Sequence, residues 1–246
     1  MKKFYLIAII LLAFSVYMGC KKDDNNDGGE VDCSMPCPET PTVTYEGKVY
    51  NTVLIGDQCW FKENLNIGTM INGNEEMTDN GVIEKYCYKN EEDECNFYGG
   101  LYQWNEMMQY TIIKGVQGIC PDGWHLPTDD EFKILEGTVD SQYPVGDPIW
   151  NTEGWRGFDA SLNLKSTSGW YFGGNGTGLY CFTVLPGGFR SNKGNISYGG
   201  KYAYFWSSSG GNSYYARYRK LYYHNDDISN FSINKDTGFS VRCLKN

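Results

Sequence analysis

The sequence predicts an α+β domain in which two helices accompany short strands and long loops, and three observations carry this expectation. Aromatic residues make up 16% of the chain, with 20 tyrosines and 30 glycines beside comparatively few aliphatic side chains, a mixture that suits short strands and turns. Two stretches, residues 101–108 and 128–136, carry helical signals. Nine cysteines are present; setting aside Cys20, which closes an N-terminal export segment, leaves an even number in a chain bound for an oxidising compartment.

Lys2 and Lys3 precede an apolar stretch over residues 4–18 that ends at Gly19-Cys20, the layout of a bacterial export signal. The stretch falls short of the roughly 20 residues that a bilayer-spanning helix needs, and a polar run begins at Lys21. A small residue before cysteine resembles the lipobox of bacterial lipoproteins, which assigns Cys20 as the lipidated N-terminus. Tyr17 and Met18 depart from the usual leucine and small residue and keep ordinary signal cleavage as the alternative. Lys21-Lys22-Asp23-Asp24 resembles the signal that sends lipoproteins of the Bacteroidetes to the outer face of the outer membrane. The chain is therefore expected to comprise a signal peptide at 1–19, a polar stalk at 20–40 that buries too little to fold, and one domain at 41–246.

Within that domain, residues 43–56 alternate around Glu46-Gly47 as a β-hairpin, and Cys59-Trp60-Phe61 extends the sheet. Residues 64–83 loosen into Gly, Asn and Thr, a long loop, before Tyr86-Cys87-Tyr88 returns as a strand. The acidic run 90–94 reads as a solvated charged turn; five oxygen-bearing side chains invite calcium, but the spaced ligands of an EF-hand are missing. Leu101, Trp104, Met107 and Met108 recur at helical spacing as the first helix. Thr128 with Glu131 three residues on is a capping box for the second, expected to run to Glu136 with Phe132 and Leu135 buried. Apolar islands at 162–164, 182–185, 202–206, 214–221 and 239–244 read as strands, with Gly187-Gly188 and Gly199-Gly200 as turns.

A net charge of −9 excludes a nucleic-acid binder, which needs a basic face to displace counterions. Two histidines and the lack of paired C-x-x-C knuckles disfavour zinc, and no cofactor is expected. His125 beside Trp124 reads as a packed, hydrogen-bonded imidazole, and His224 as a solvated loop residue. Asp129-Asp130-Glu131 invites a glycosidase reading, which helix capping explains more simply. G-x-S-x-G, H-E-x-x-H and phosphate-loop motifs do not occur.

Several blocks occur in order: residues 49–56 with 59–66, Tyr98-Gly99-Gly100-Leu101-Tyr102-Gln103-Trp104, residues 118–135, residues 164–170, Leu185-Pro186-Gly187-Gly188-Phe189-Arg190, Phe205-Trp206-Ser207-Ser208-Ser209 and residues 238–243. Together they resemble the Fibrobacter succinogenes major paralogous domain of Bacteroidetes and Fibrobacteres surface lipoproteins. The resemblance implies a C-type lectin-like fold, two helices packed on a small twisted antiparallel sheet with long loops. It further implies disulfides Cys120 to Cys243, Cys87 to Cys95 and Cys37 to Cys59. Cys33 and Cys181 are left either as a fourth pair or as free thiols.

Three functional classes follow. Formylglycine-generating enzymes share the broad architecture that the resemblance implies, but their closely spaced reactive cysteines are missing here, so no enzyme is expected. A binding role is favoured by polar aromatic loops between Tyr198 and Asp227, with Tyr198, Tyr202, Tyr215, Tyr223, Asn225 and Asp226 as candidate ligand-binding residues. Alternate tyrosines of 214–223 must face inward. The calcium-binding triplets of sugar-binding lectins are absent from the sequence, and fold likeness alone transfers no activity. A surface scaffold with variable loops over 212–234 is the third class. The expectation is an outer-membrane lipoprotein facing the cell exterior, touching the membrane only through its lipid, that binds an extracellular glycan or protein.

Overall fold

The computed structural model describes residues 35–246; the signal segment, Cys20, the first part of the stalk and Cys33 lie outside the described residues. In chain order the elements are β1 (Thr42–Tyr45), β2 (Lys48–Ile55), β3 (Gln58–Phe61), β4 (Thr69–Met70), β5 (Glu84–Lys85), α1 (Glu92–Tyr98) and α2 (Trp104–Met107). There follow β6 (Trp124–His125), α3 (Asp129–Val139), β7 (Gly154–Arg156), α4 (Ala160–Leu164), β8 (Phe189–Arg190) and β9 (Ile196–Ser197). The chain closes with β10 (Tyr202–Gly210), β11 (Tyr215–Tyr222), β12 (Ile228–Asn234) and β13 (Leu244–Lys245).

Glu46 and Gly47 both adopt left-handed backbone, at φ 47° and 72°, which matches the twist of a two-residue hairpin. β1 and β2 pair through this turn, with Tyr45 opposite Lys48. β3 pairs with β2, and β13 slots between β3 and β6, with Leu244 opposite both Trp60 and His125. The five-stranded sheet β1-β2-β3-β13-β6 therefore joins the start, middle and end of the folded chain, and the Cys120–Cys243 disulfide fastens the junction. Cys37–Cys59 and Cys87–Cys95 are also formed. Cys181 is disulfide-bonded as well. Residues 35–40 already belong to the folded unit: Cys37 is buried, and the Leu54 amide donates to the Met35 carbonyl at 3.2 Å.

A second sheet, β10-β11-β12-β7, is antiparallel throughout. Neighbouring residues in a strand face opposite ways, and here both faces are buried. Trp60 and Phe205 join one core with Phe132, Leu135, Trp150 and Phe182, whereas Phe61 and Trp206 join another with Tyr102, Trp104 and Phe239. Two-sided burial accounts for unbroken apolar runs such as Cys59-Trp60-Phe61 where a one-sided sheet would alternate.

This architecture corrects the expected C-type lectin-like α+β arrangement of two helices on one small sheet. The described residues are mostly β, in several sheets, with four α-helices. Only α3 exceeds seven residues, so the layers covering the sheets are largely other strands and loops. α2 stops after one turn because Gln109 and Tyr110 are left-handed at φ 51° and 58°. α1 begins inside the Cys87–Cys95 loop expected to be a turn and runs past Cys95 to Tyr98; Glu92, Asp93 and Glu94 occupy its first turn, where the helix dipole favours carboxylates. α4 occupies the island at 162–164 read as a strand.

α3 begins as expected: the Thr128 hydroxyl accepts from the Glu131 amide, and the Glu131 carboxylate accepts from the Thr128 amide at 2.7 Å. It continues past Glu136 to Val139. His125 lies between two acceptors, Glu131 at 2.9 Å and the Asn246 side-chain oxygen at 2.7 Å, an arrangement that both ring nitrogens satisfy as donors only when protonated. Its bond to Glu131 holds His125 above the usual 6.5. Burial opposes ionisation of Glu131, yet its bonds from His125 and Thr128 hold it below the usual 4.5. The histidine contribution is full below 6.5 and fades as pH rises through its elevated value; the carboxylate contribution is full above 4.5 and fades on acidification. His125→Gln is accordingly expected to destabilise the fold more at pH near 5.5 than near 8.5. Urea unfolding at the two pH values checks this, and equal losses would contradict it.

Candidate functional site

The even-numbered side chains of β10 and β11 emerge together at one end of the second sheet. Tyr202 lies opposite Tyr222 and Tyr204 opposite Lys220, while Ala203, Phe205 and Leu221 between them are buried. Tyr202 and Tyr222 stack with centroids 4.5 Å apart, and the contacts run on from them. Tyr198 meets Tyr202 edge-on at 5.4 Å and stacks on Phe189 at 5.8 Å. Tyr222 meets Tyr223 at 4.5 Å, and Tyr223 lies 6.2 Å from both Tyr171 and Phe172.

The rim is cationic. The Lys201 ammonium sits 5.1 Å from the Tyr171 centroid, and that of Lys220 lies 4.7 Å from Trp155 and 5.9 Å from Tyr202. Several rings are presented to solvent: Phe172 is 83% exposed, Tyr198 50% and Tyr171 47%. Phe172 and Tyr198 also hold left-handed backbone at φ 45° and 67°, a conformation that bulky side chains rarely adopt and that surrounding structure must enforce. Two residues after Phe172 the segment is held against the end of β11. Gly174 packs so closely on Tyr223 that a Cβ there would lie 2.0 Å from the Tyr223 carbonyl oxygen.

Of the residues singled out from sequence, Tyr198, Tyr202 and Tyr223 are brought into this one surface. Tyr215 is not; it lies at the far end of β11, its carbonyl accepting from the Gly211 and Asn212 amides. Asn225 and Asp226 form the turn after β11. The Asn225 carbonyl accepts from the buried Lys165 ammonium at 2.9 Å, and the Asp226 carbonyl accepts from the Ser161 amide at 2.8 Å, pinning the turn onto α4. Their backbones thus shape the face beside Tyr223. Tyr171 and Phe172 were missed; the run Trp170-Tyr171-Phe172-Gly173-Gly174, aromatics ahead of two glycines, was the available signal.

The carboxylates of the Asp129-Asp130-Glu131 cluster are engaged in ion pairs or capping. Asp129 meets Arg219 at 2.7 Å, and Asp130 meets Lys133 at 3.1 Å. A cavity of about 430 Å³ between β2, α1 and residues 183–185 includes Arg242 in its wall. That guanidinium donates to Asn64 at 2.9 Å and to the Phe182 and Thr183 carbonyls, and burial pushes it down to about 9. It braces three segments of the frame. Among the described residues no cluster of three or more His, Cys, Asp or Glu side chains is placed to hold a metal ion.

A family model, that of the Fibrobacter succinogenes major domain, matches residues 53–245. No curated protein and no solved structure matches the chain.

Proposed function

The chain belongs to the Fibrobacter succinogenes major domain family, and from its aromatic face we propose that it is an extracellular recognition protein that binds a glycan. The observation that carries this reading is the continuous run of rings from Tyr198 through Tyr202, Tyr222 and Tyr223 to Phe172. Flat apolar faces with hydroxyls at their margins suit the C–H faces and hydroxyl edges of sugar rings. Pre-set rings lose little side-chain entropy on binding. The reading includes a lipid on Cys20 and display outside the outer membrane, supported by the lipobox-like Gly19-Cys20 and the Lys21-Lys22-Asp23-Asp24 run. It assigns no catalytic step.

A glycan array probed with the chain from Lys21 onward, with calcium and with chelator, tests the proposal. Saturable binding that chelator does not remove is expected. A blank glycan array together with saturable capture of a surface protein would move the face to protein adhesion, and silence in both would leave a scaffold.

A further inference from the structure

A second cavity, of about 470 Å³, opens at the opposite end of β11 from the aromatic face and has the size of a small-molecule site. It lies where β10 loses register: pairing jumps from Trp206 opposite Tyr218 to Gly210 opposite Ala216. The intervening serines turn to other partners. The Ser208 amide donates to the Pro127 carbonyl at 2.8 Å, and the Ser209 hydroxyl accepts from the Asp129 amide at 2.9 Å. Such bulges re-aim side chains and recur beside functional sites.

In the wall of this cavity is Lys235, 6% exposed, its ammonium 3.8 Å from the Trp104 ring centroid. Among the described residues that ammonium donates no hydrogen bond and meets no carboxylate. The acidic groups nearby are engaged: Asp129 with Arg219 and Lys133, Asp130 with Lys133, and Glu153 with Arg217 at 3.5 Å. Burial holds Lys235 below its ordinary value. The Lys235 stem is buried, while its ammonium rests on the Trp104 ring with its donors unused and lines the cavity, where an anion can meet it. Lys114 and Arg217 add two cations to a wall that also holds the ion-paired Asp129 and Asp130, so cations outnumber carboxylates there, and the exposed Ile112 adds an apolar surface. The chain as a whole carries −9, which repels dense polyanions, so a single isolated carboxylate is the better match.

We propose that this cavity takes the carboxylate of a uronic-acid unit, paired with Lys235 and flanked by Arg217, with the sugar ring against Ile112. The sugar part of this assignment rests on the glycan-binding reading of the aromatic face; the carboxylate part rests on Lys235 alone.

The test follows the Trp104 indole N–H, which donates to the Ser207 carbonyl at 2.9 Å, by NMR while glucuronate, glucose or inorganic sulfate is titrated to about 50 mM, a range that reaches millimolar sites. Glucuronate is expected to give a saturable shift that glucose does not. Lys235→Met should weaken it about tenfold or more, and the rim variant Arg217→Gln, which leaves the buried packing intact, several-fold. No shift with glucuronate, an equal shift with glucose, or an undiminished shift in both variants would overturn the proposal. A sulfate response as strong as that to glucuronate would overturn the sugar-acid assignment in favour of a bare anion site. Because the probes are free monosaccharides read at Trp104, failure of the aromatic face to bind glycan would leave this result standing by itself.

Discussion

Replacing Glu136 by glutamine is expected to cost about 3–5 kcal/mol of folding stability, the scale of breaking a buried ion pair from one side. Glu136 is fully buried on α3 and is shared by two arginines that are themselves buried, Arg156 at 2.6 Å and Arg219. Arg219 would retain Asp129 and Asn230. Arg156 would keep the Thr152 carbonyl and its place beside the Trp150 ring but would have to compete with Arg219 for the single amide oxygen left at position 136, its Nε already being without a partner. The loss therefore falls mainly on Arg156, and Glu136→Met with Arg156→Met should recover part of it, since well-packed apolar replacements of buried ion pairs are often tolerated. Urea unfolding of the single and double variants checks both statements; a single-variant loss below about 1 kcal/mol would contradict the shared-carboxylate account.

The second large effect is expected from the Cys120–Cys243 bridge. Its cysteines are 123 residues apart, against 8 for Cys87–Cys95. In the chain-entropy model the longer loop corresponds to about 5 kcal/mol and the shorter to about 2.5. The fold sharpens that ordering. β13 is two residues long, pairs with both β3 and β6, and completes the five-stranded sheet, so the bridge at Cys243 fastens the strand on which that sheet closes. Unfolding of Cys120→Ser/Cys243→Ser beside Cys87→Ser/Cys95→Ser gives the comparison, and a larger loss from the short loop would contradict it.

What could be read from sequence follows from how local the governing physics is. The hairpin at Glu46-Gly47 and the capping box of Thr128 and Glu131 are decided within a few residues and were legible. The long disulfide was reachable only by resemblance. α1 and α4 were not legible, because five to seven residues give too little pattern to separate a period of 3.6 from one of 2. The count of sheets failed for a related reason: whether an apolar run is buried on one face or two depends on what packs above it. Of the aromatic face, the tyrosines of β10 and β11 were visible as candidates. The segment carrying Phe172 reaches that face through Gly174 packing on Tyr223, a contact between segments far apart in sequence. Arg190 and Arg242 sit in the recurring blocks and hold carbonyls of distant loops, so those blocks mark the frame more than the site.

The most direct measurement is the affinity of the chain from Lys21 onward for a glycan retained on the array, taken for the unaltered protein, for Phe172→Ala with Tyr198→Ala, and for Tyr214→Ala. Phe172 and Tyr198 are exposed and can be truncated with little loss of packing, while Tyr214 is 73% exposed and makes no contact with the ring chain. The aromatic-face account expects the paired variant to bind about tenfold to a hundredfold more weakly, the scale of losing binding hot spots, with Tyr214→Ala unchanged. Undiminished affinity in the paired variant would contradict it.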